Sequence, residues 1–352
     1  MSLSRKLMLS PEDVTPSRDD IEVIGCFNPG AVEINGRVHL LIRVAERPRE
    51  KREGFVGLPL MRPGRGIEFD WVPQENLRRL DNRIVETRAD GRIRLTSLSH
   101  LRLATSVDGF HVDTLSEHPT LTPVDELDIY GVEDARITPL GDEFLITYVG
   151  VSPHGIVTKL IATKDFKEFR KIGIVFPTEN KDVVLFPDRV NGRYCAFHRP
   201  LSQAPLGPPE IWLASSKDLR YWGDHRPVLT AGKGWASLKI GAGCPPLRTK
   251  RGWLEIFHGV QRQSSSDQVG KYCGGAALFD LDDPTKLLGV SPLPFLVPEK
   301  DFEREGFLPD IVFPSGAILR ENCLLVYYGA ADCYTAVAKF SLNDVLDGIQ
   351  IQ

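Results

Sequence analysis

The chain has 352 residues, 42% of them hydrophobic and 26% charged, with 31 glycines and 26 prolines. That balance supports a large globular core built from short strands and turns, and it excludes a disordered or collagen-like chain. The net charge of −4, with no sustained basic run, argues against nucleic acid as a partner.

Five times along the chain an apolar strand, a tight polar turn and a second apolar strand recur. Phe27-Asn28-Pro29-Gly30-Ala31-Val32 runs into Gly36 and His39 to Arg43, and Val132-Glu133-Asp134-Ala135-Arg136-Ile137 into Gly141 and Phe144 to Tyr148. Phe186-Pro187-Asp188-Arg189-Val190 leads to Tyr194–Arg199, Gly243-Cys244-Pro245-Pro246-Leu247 to Trp253–His258, and Phe313-Pro314-Ser315-Gly316-Ala317-Ile318 to Leu324–Tyr328. Each phrase is followed by another strand and an Asp- or Asn-containing turn, as in Ile211–Ser216 before Asp218. Units of this size cannot bury their apolar faces alone and must stack or radiate. The expectation is an all-β chain, a five-bladed β-propeller with a central active-site pocket, forming one domain over 1–352. The interval from Asn28 to Asp134 is about twice that from Asp134 to Pro187, which places an insertion at about 49–93 in the first unit. Long insertions in compact domains more often serve function than not. Leu342 to Ile349 reads as a short terminal helix.

The remaining signals narrow the class. Cys26, Cys195, Cys244, Cys273, Cys323 and Cys333 form no CxxC pair and mostly sit in apolar runs, as buried free thiols would. Met1 to Pro11 lacks the apolar run of a signal peptide, and no stretch reaches the roughly 20 apolar residues that span a bilayer. A cytoplasmic protein without membrane contact is expected. Arg47-Pro48-Arg49-Glu50-Lys51-Arg52 is short and mixed in sign, and reads as a solvated loop.

The repeat alignment puts Asn28, Glu133-Asp134, Asp188, Lys239 and Asp310 at strand starts that converge on one axis, with Arg43, Tyr148, His198-Arg199, His258 and Tyr328 as a second tier. Carboxylates beside cations with aromatic rims suit a polyhydroxylated ligand. Because strand side chains alternate, only one of Glu133 and Asp134 is expected to face the pocket; turn capping or pairing with Arg136 is the alternative for Asp134. In Lys239-Ile240-Gly241-Ala242-Gly243 the glycines permit close backbone approach and the lysine supplies a point charge for phosphate or hydroxyls. Arg199 offers a planar fork that matches phosphate, or a salt bridge to Asp188. His100 and His258 read as hydrogen-bonded core or rim residues, and no His, Asp and Glu set has metal spacing.

Taken together, Gly131-Val132-Glu133-Asp134-Ala135-Arg136-Ile137, Lys239-Ile240-Gly241-Ala242-Gly243 and Gly306-Phe307-Leu308-Pro309-Asp310-Ile311-Val312-Phe313-Pro314 resemble glycoside hydrolase family 130, the β-mannoside phosphorylases and related β-mannosidases. The resemblance implies a five-bladed propeller and an inverting reaction in which phosphate cleaves a β-mannoside to α-mannose 1-phosphate. It implies Asp134 as the general acid, acting through a mannose hydroxyl, with inorganic phosphate as co-substrate and no cofactor. Asn28, Arg43, Glu133, Lys239 and Asp310 are implied as sugar-binding residues, and His198, Arg199, Lys239 and Tyr272 as phosphate ligands. Cations at Arg43, His198, Arg199 and Lys239, with no acid among them, favour phosphorolysis. The hydrolytic alternative needs a base, for which Asp188, Asp310 and Glu255 are the candidates, and a non-catalytic glycan-binding propeller is the reading from another class. The insertion, Thr96–Arg102 and Ser152-Pro153-His154-Gly155 are candidates for shaping the acceptor side. Linkage, acceptor and homo-oligomer formation stay open at this point.

Overall fold

Apolar runs flanking short Asn- or Gly-containing turns fold back on themselves throughout the chain. The strands Ile21–Ile34 and Arg37–Pro48 pair antiparallel across Asn35-Gly36, with Ile34 opposite Arg37. Both turn residues have positive φ, at 49° and 76°, the backbone twist that suits two-residue hairpins and that Asn and Gly accept most readily. The computed structural model describes residues 3–62, 64–201, 206–264 and 269–351. The expected single domain over 1–352 and the 49–93 insertion thus include positions outside the described residues, Pro63 among them.

The chain is all-β, as expected, with short α-helices at Asp301–Arg304 and Leu342–Asp347. The second helix is capped by the Ser341 side chain, which accepts from the Asp344 backbone N–H.

The five-bladed propeller is not what the sheets form. Among the described residues, strand pairing gives sheets of four, eight, four and six strands, with smaller ones of two and three, and none closes on itself. The first two repeats merge into the eight-stranded sheet, because Gly131 pairs in parallel with Ser99 and joins Gly131–Leu140 to Leu98–Ser106. Chain ends further blur the units: Ser4–Leu9 pairs with Tyr334–Ser341, and Gln350–Ile351 extends the six-stranded sheet. The repeated phrase specifies hairpins, but where pairing stops is set by neighbours that a strand cannot encode alone.

The apolar faces of these sheets pack together. Leu254, Ile256, Leu324, Val326 and Phe340 lie in one cluster, and Val184, Phe197, Ile240, Trp253 and Phe279 in another. Each such side chain, fully buried, contributes about 1.5–3 kcal/mol relative to exposure. All six cysteines are free, five of them buried. Among the described residues no helix is long and apolar enough to cross a membrane. The insertion forms a hairpin, Phe55–Arg62 with Gly66–Pro73, and a three-stranded sheet of Leu77–Arg79, Ile84–Thr87 and Ile93–Leu95.

Candidate active site

Three strands carry the same local device. The pairing register slips between Phe27 and Gly30, between Glu133 and Arg136, and between Lys181 and Val184. At each slip one residue takes left-handed backbone: Asn28 at φ 51°, Asp134 at 51° and Asp182 at 54°. Asn and Asp are the non-glycine residues that most readily adopt it, and a bulge re-aims the side chain it carries. All three side chains face one cavity of about 570 Å³.

The bulge also overturns the alternation argument. Glu133 and Asp134 both line the cavity, because the irregular backbone between them breaks the two-residue period. Arg43 clamps the pair: its Nη2 donates to Glu133 Oε1 at 2.8 Å and its Nη1 to Asp134 Oδ1 at 3.2 Å, while its Nε donates to Ser99 Oγ at 2.9 Å. Asn28 Nδ2 donates to the same Asp134 oxygen at 2.8 Å. Gly329 is required beneath Asn28, since a Cβ there would run into the Asn28 side chain. The Asp134 side chain remains 11% exposed, open to the cavity.

The cavity also holds further cations. Lys181, Arg199 and Lys239 line it with Tyr272 and His258. Arg199 Nε donates to Asp182 Oδ2 at 2.6 Å, and His258 Nε2 lies 3.6 Å from the same oxygen. Lys239 Nζ stands 4.9 Å from the Tyr272 ring centre, and the Tyr272 and His258 rings stack at 5.9 Å. Lys181 Nζ bridges toward the acid side, 3.6 Å from Glu133 Oε2. Gly241 must lack a side chain here, because a Cβ would meet Asp182 and His258.

Electrostatics separate the acids. Burial works to raise Asp134, but Arg43, Arg136, Lys181 and the Asn28 hydrogen bond outweigh it and hold the carboxyl below its usual value. Asp182 is held well below the carboxylate range: burial opposes ionisation, and Arg199, His258 and Arg136 overcome it. Asp332 is raised, because burial and the nearby Asp134 and Glu133 outweigh Arg83 and Arg43. Burial depresses His258 to about 3 despite Asp182, so its ring is neutral at pH 7.

Asn28, Arg43, Glu133, Asp134, Lys239, Arg199 and Tyr272 are therefore brought together as the sequence suggested. His198 is not. Its ring is buried against Phe176 at 4.6 Å, with Nδ1 2.9 Å from Asn180 Nδ2 and Nε2 3.1 Å from His225 Nδ1. In a strand its side chain and that of Arg199 point to opposite faces, so only Arg199 reaches the cavity. Asp310 also lies off the cavity wall; its carboxylate accepts from Gln263 Nε2 at 3.1 Å and its carbonyl from the Tyr272 N–H. Asp188 is displaced to the surface, 3.3 Å from Arg248. Asp182 takes the place expected of it, both in the cavity and as the partner of Arg199. Tyr148 and Tyr328 are buried in the core, the Tyr328 hydroxyl donating to Glu303.

Sequence reasoning missed Lys181, Asp182, Asp332 and Arg83, all of which line the cavity. A signal for the first two was present: Lys181-Asp182-Val183-Val184 repeats the charged, acidic and apolar order of Glu133-Asp134-Ala135. Ser97, Ser152 and Gly155 line the rim, together with Ile84, Ile93 and Leu95 from the insertion. Among the described residues no group of three or more His, Cys, Asp and Glu side chains is arranged to hold a metal ion.

A family model described as beta-1,4-mannooligosaccharide phosphorylase, that of glycoside hydrolase family 130, matches residues 83–350. The chain is 40% identical over 351 residues to a beta-1,2-mannobiose phosphorylase of Listeria innocua, covering 98% of this chain and 97% of that protein. It is 34% identical over 252 residues to a 1,2-beta-oligomannan phosphorylase of a Thermoanaerobacter species, covering 70% of this chain and 80% of that one. The solved structure of the Listeria enzyme with β-1,2-mannobiose superposes with a TM-score of 0.91 at 40% identity, over 97% of this chain and 96% of that one. The chain belongs to glycoside hydrolase family 130 and is a β-mannoside phosphorylase.

Proposed function

We propose that this inverting β-mannoside phosphorylase acts on β-1,2-linked mannobiose, releasing mannose and α-mannose 1-phosphate. The observation that carries the linkage is the near end-to-end match, in sequence and in fold, to the Listeria enzyme solved with that disaccharide. The relative named for β-1,4-mannooligosaccharides is 32% identical over only 62% of this chain.

The cavity supports a division of labour. Asn28, Arg43 and Glu133 hold the sugar beside Asp134, the general acid. Lys181, Arg199 and Lys239 hold phosphate, whose oxygen attacks the anomeric carbon from the face opposite the leaving oxygen. The C–O bond to the leaving mannose breaks as that oxygen receives the Asp134 proton, directly or through a sugar hydroxyl, and the configuration inverts. Phosphate arrives as an anion, so no general base is needed.

Asp134 must be protonated to act, yet Arg43, Arg136 and Lys181 outweigh its burial and hold its carboxyl below the usual value. Phosphate resolves the conflict. Its negative charge beside Lys181 offsets the field on Asp134 and raises the carboxyl, so the nucleophile loads the acid. A hydrolase would need a base instead; Asp188, Asp310 and the core-buried Glu255 lie off the cavity wall, and of the acids on it Asp182 is tied to Arg199 at 2.6 Å and Asp332 faces Arg83 at 3.6 Å. The six free thiols suit a cytoplasmic setting.

The test is product analysis on β-1,2- and β-1,4-mannobiose, each with and without inorganic phosphate. Mannose 1-phosphate from the β-1,2 isomer, formed only with phosphate, is the expected result. Faster turnover of the β-1,4 isomer overturns the linkage, and free mannose at equal rates in both buffers overturns phosphorolysis.

A further inference from the structure

Asp332 stands just past the Cys323–Ala330 strand, its backbone left-handed at φ 47° and its side chain 14% exposed on the cavity wall. Among the described residues, the one cation within ion-pair distance of its carboxylate is Arg83, whose Nη1 lies 3.6 Å from Asp332 Oδ2. Arg83 belongs to the insertion, between Leu77–Arg79 and Ile84–Thr87.

Arg83 is held firmly. Asp81 accepts from its backbone N–H at 2.7 Å and from its Nη2 at 2.9 Å. Thr96 Oγ1 donates to the carbonyls of Asn82 and Arg83, and Asn82 Nδ2 donates to the Phe307 carbonyl at 3.1 Å, tying the insertion to the loop whose Leu308 N–H donates to the carbonyl of Ala331, next to Asp332. Such anchoring leaves one guanidinium nitrogen directed at Asp332.

Asp332 needs that cation. Glu133 and Asp134 face it from the Gly131–Leu140 strand, Arg43 from its own strand, and Cys333 adjoins it in sequence. Two nearby carboxylates and burial favour its neutral form, in which one oxygen becomes a donor. Ionised, it accepts hydrogen bonds from sugar hydroxyls through both oxygens.

We propose that Arg83 is a positioning residue of the phosphorolysis reaction, holding the Asp332 carboxylate in place on the cavity wall and aimed at the sugar from the inserted sheet. The inference rests on the cavity being the phosphorolysis site. Through it the insertion acts on turnover itself, in addition to bounding the acceptor side.

The experiment compares the parent with Arg83→Ala, Arg83→Lys, Asp332→Asn and the Arg83→Ala/Asp332→Asn double variant, in β-1,2-mannobiose phosphorolysis across pH, with melting temperatures alongside. Arg83→Ala is expected to lower kcat/KM by on the order of ten- to a hundredfold, the cost of a misplaced binding group. Without the cation Asp332 titrates higher, so the acid limb of the pH profile moves to higher pH. Arg83→Lys is expected to recover part of the loss. If Arg83 acts through Asp332, the double variant is no worse than Asp332→Asn alone. Multiplying losses in the double variant, an unmoved acid limb, or an unimpaired Arg83→Ala enzyme would each overturn the inference. Should the parent turn over nothing, the assigned reaction has failed. Calorimetric titration with β-1,2-mannobiose then decides: weaker binding by Arg83→Ala upholds the inference, and equal binding overturns it.

Discussion

Asp134 and Asp182 are built alike and placed differently. Each sits at a β-bulge, in left-handed backbone, one residue after a charged side chain and just before an apolar run. Asp182 is closed off by Arg199 at 2.6 Å, with His258 behind it and an exposure of 3%. Asp134 receives Arg43 and Asn28 on one oxygen alone and keeps a face toward the cavity. A carboxylate locked to an arginine holds that cation in place, whereas one with a free face can exchange a proton. The local fold makes both acids available, and strands from elsewhere decide which one keeps the open face that the proposed acid catalyst needs.

The largest effect tests this contrast directly. Asp134→Asn should lower kcat by roughly 10²–10⁴-fold, the usual contribution of a general acid, while the isosteric amide keeps the fold intact. An active Asp134→Asn enzyme would end the assignment. Arg199→Ala should act on both stability and binding. It leaves Asp182 buried without its strongest partner, which costs about 3–5 kcal/mol in denaturant unfolding, and the Michaelis constant for phosphate should rise. A stable variant with normal phosphate dependence would show that the two acids are not distinguished by this pair.

The finest test is one of pH. In the proposed mechanism Asp134 acts protonated, so activity should fall as pH rises through its pKa. Because phosphate charge raises that pKa, the alkaline limb measured at saturating phosphate should lie at higher pH than at low phosphate. Superimposable limbs would mean that phosphate does not load the acid, and that protonation follows sugar binding instead.

Much of the acid side was legible in the sequence. Glu133-Asp134 stands out as an acidic pair opening an apolar strand, Asn28 falls at the start of its repeat strand and Arg43 at the end of the next. The cationic side was read only in part. Aligning the third repeat on Phe186-Pro187-Asp188 shifted attention from Asp182 to a surface aspartate, because proline-rich turns are conspicuous and bulges are silent. His198 was paired with Arg199 by adjacency, although a strand sends neighbours to opposite faces.

The sequence by itself determined the all-β character, the hairpins and their turns, and the family, since alternation, turn chemistry and contiguous motifs are local properties of the chain. Only the tertiary structure decided that the first two repeats share one sheet and that none closes, because edge pairing depends on which strands meet. It also brought Asp182, Asp332 and Arg83 to the cavity. Arg83 and Asp332 are far apart in sequence, and their pairing comes from the insertion folding back over the last repeat, which nothing in either segment announces.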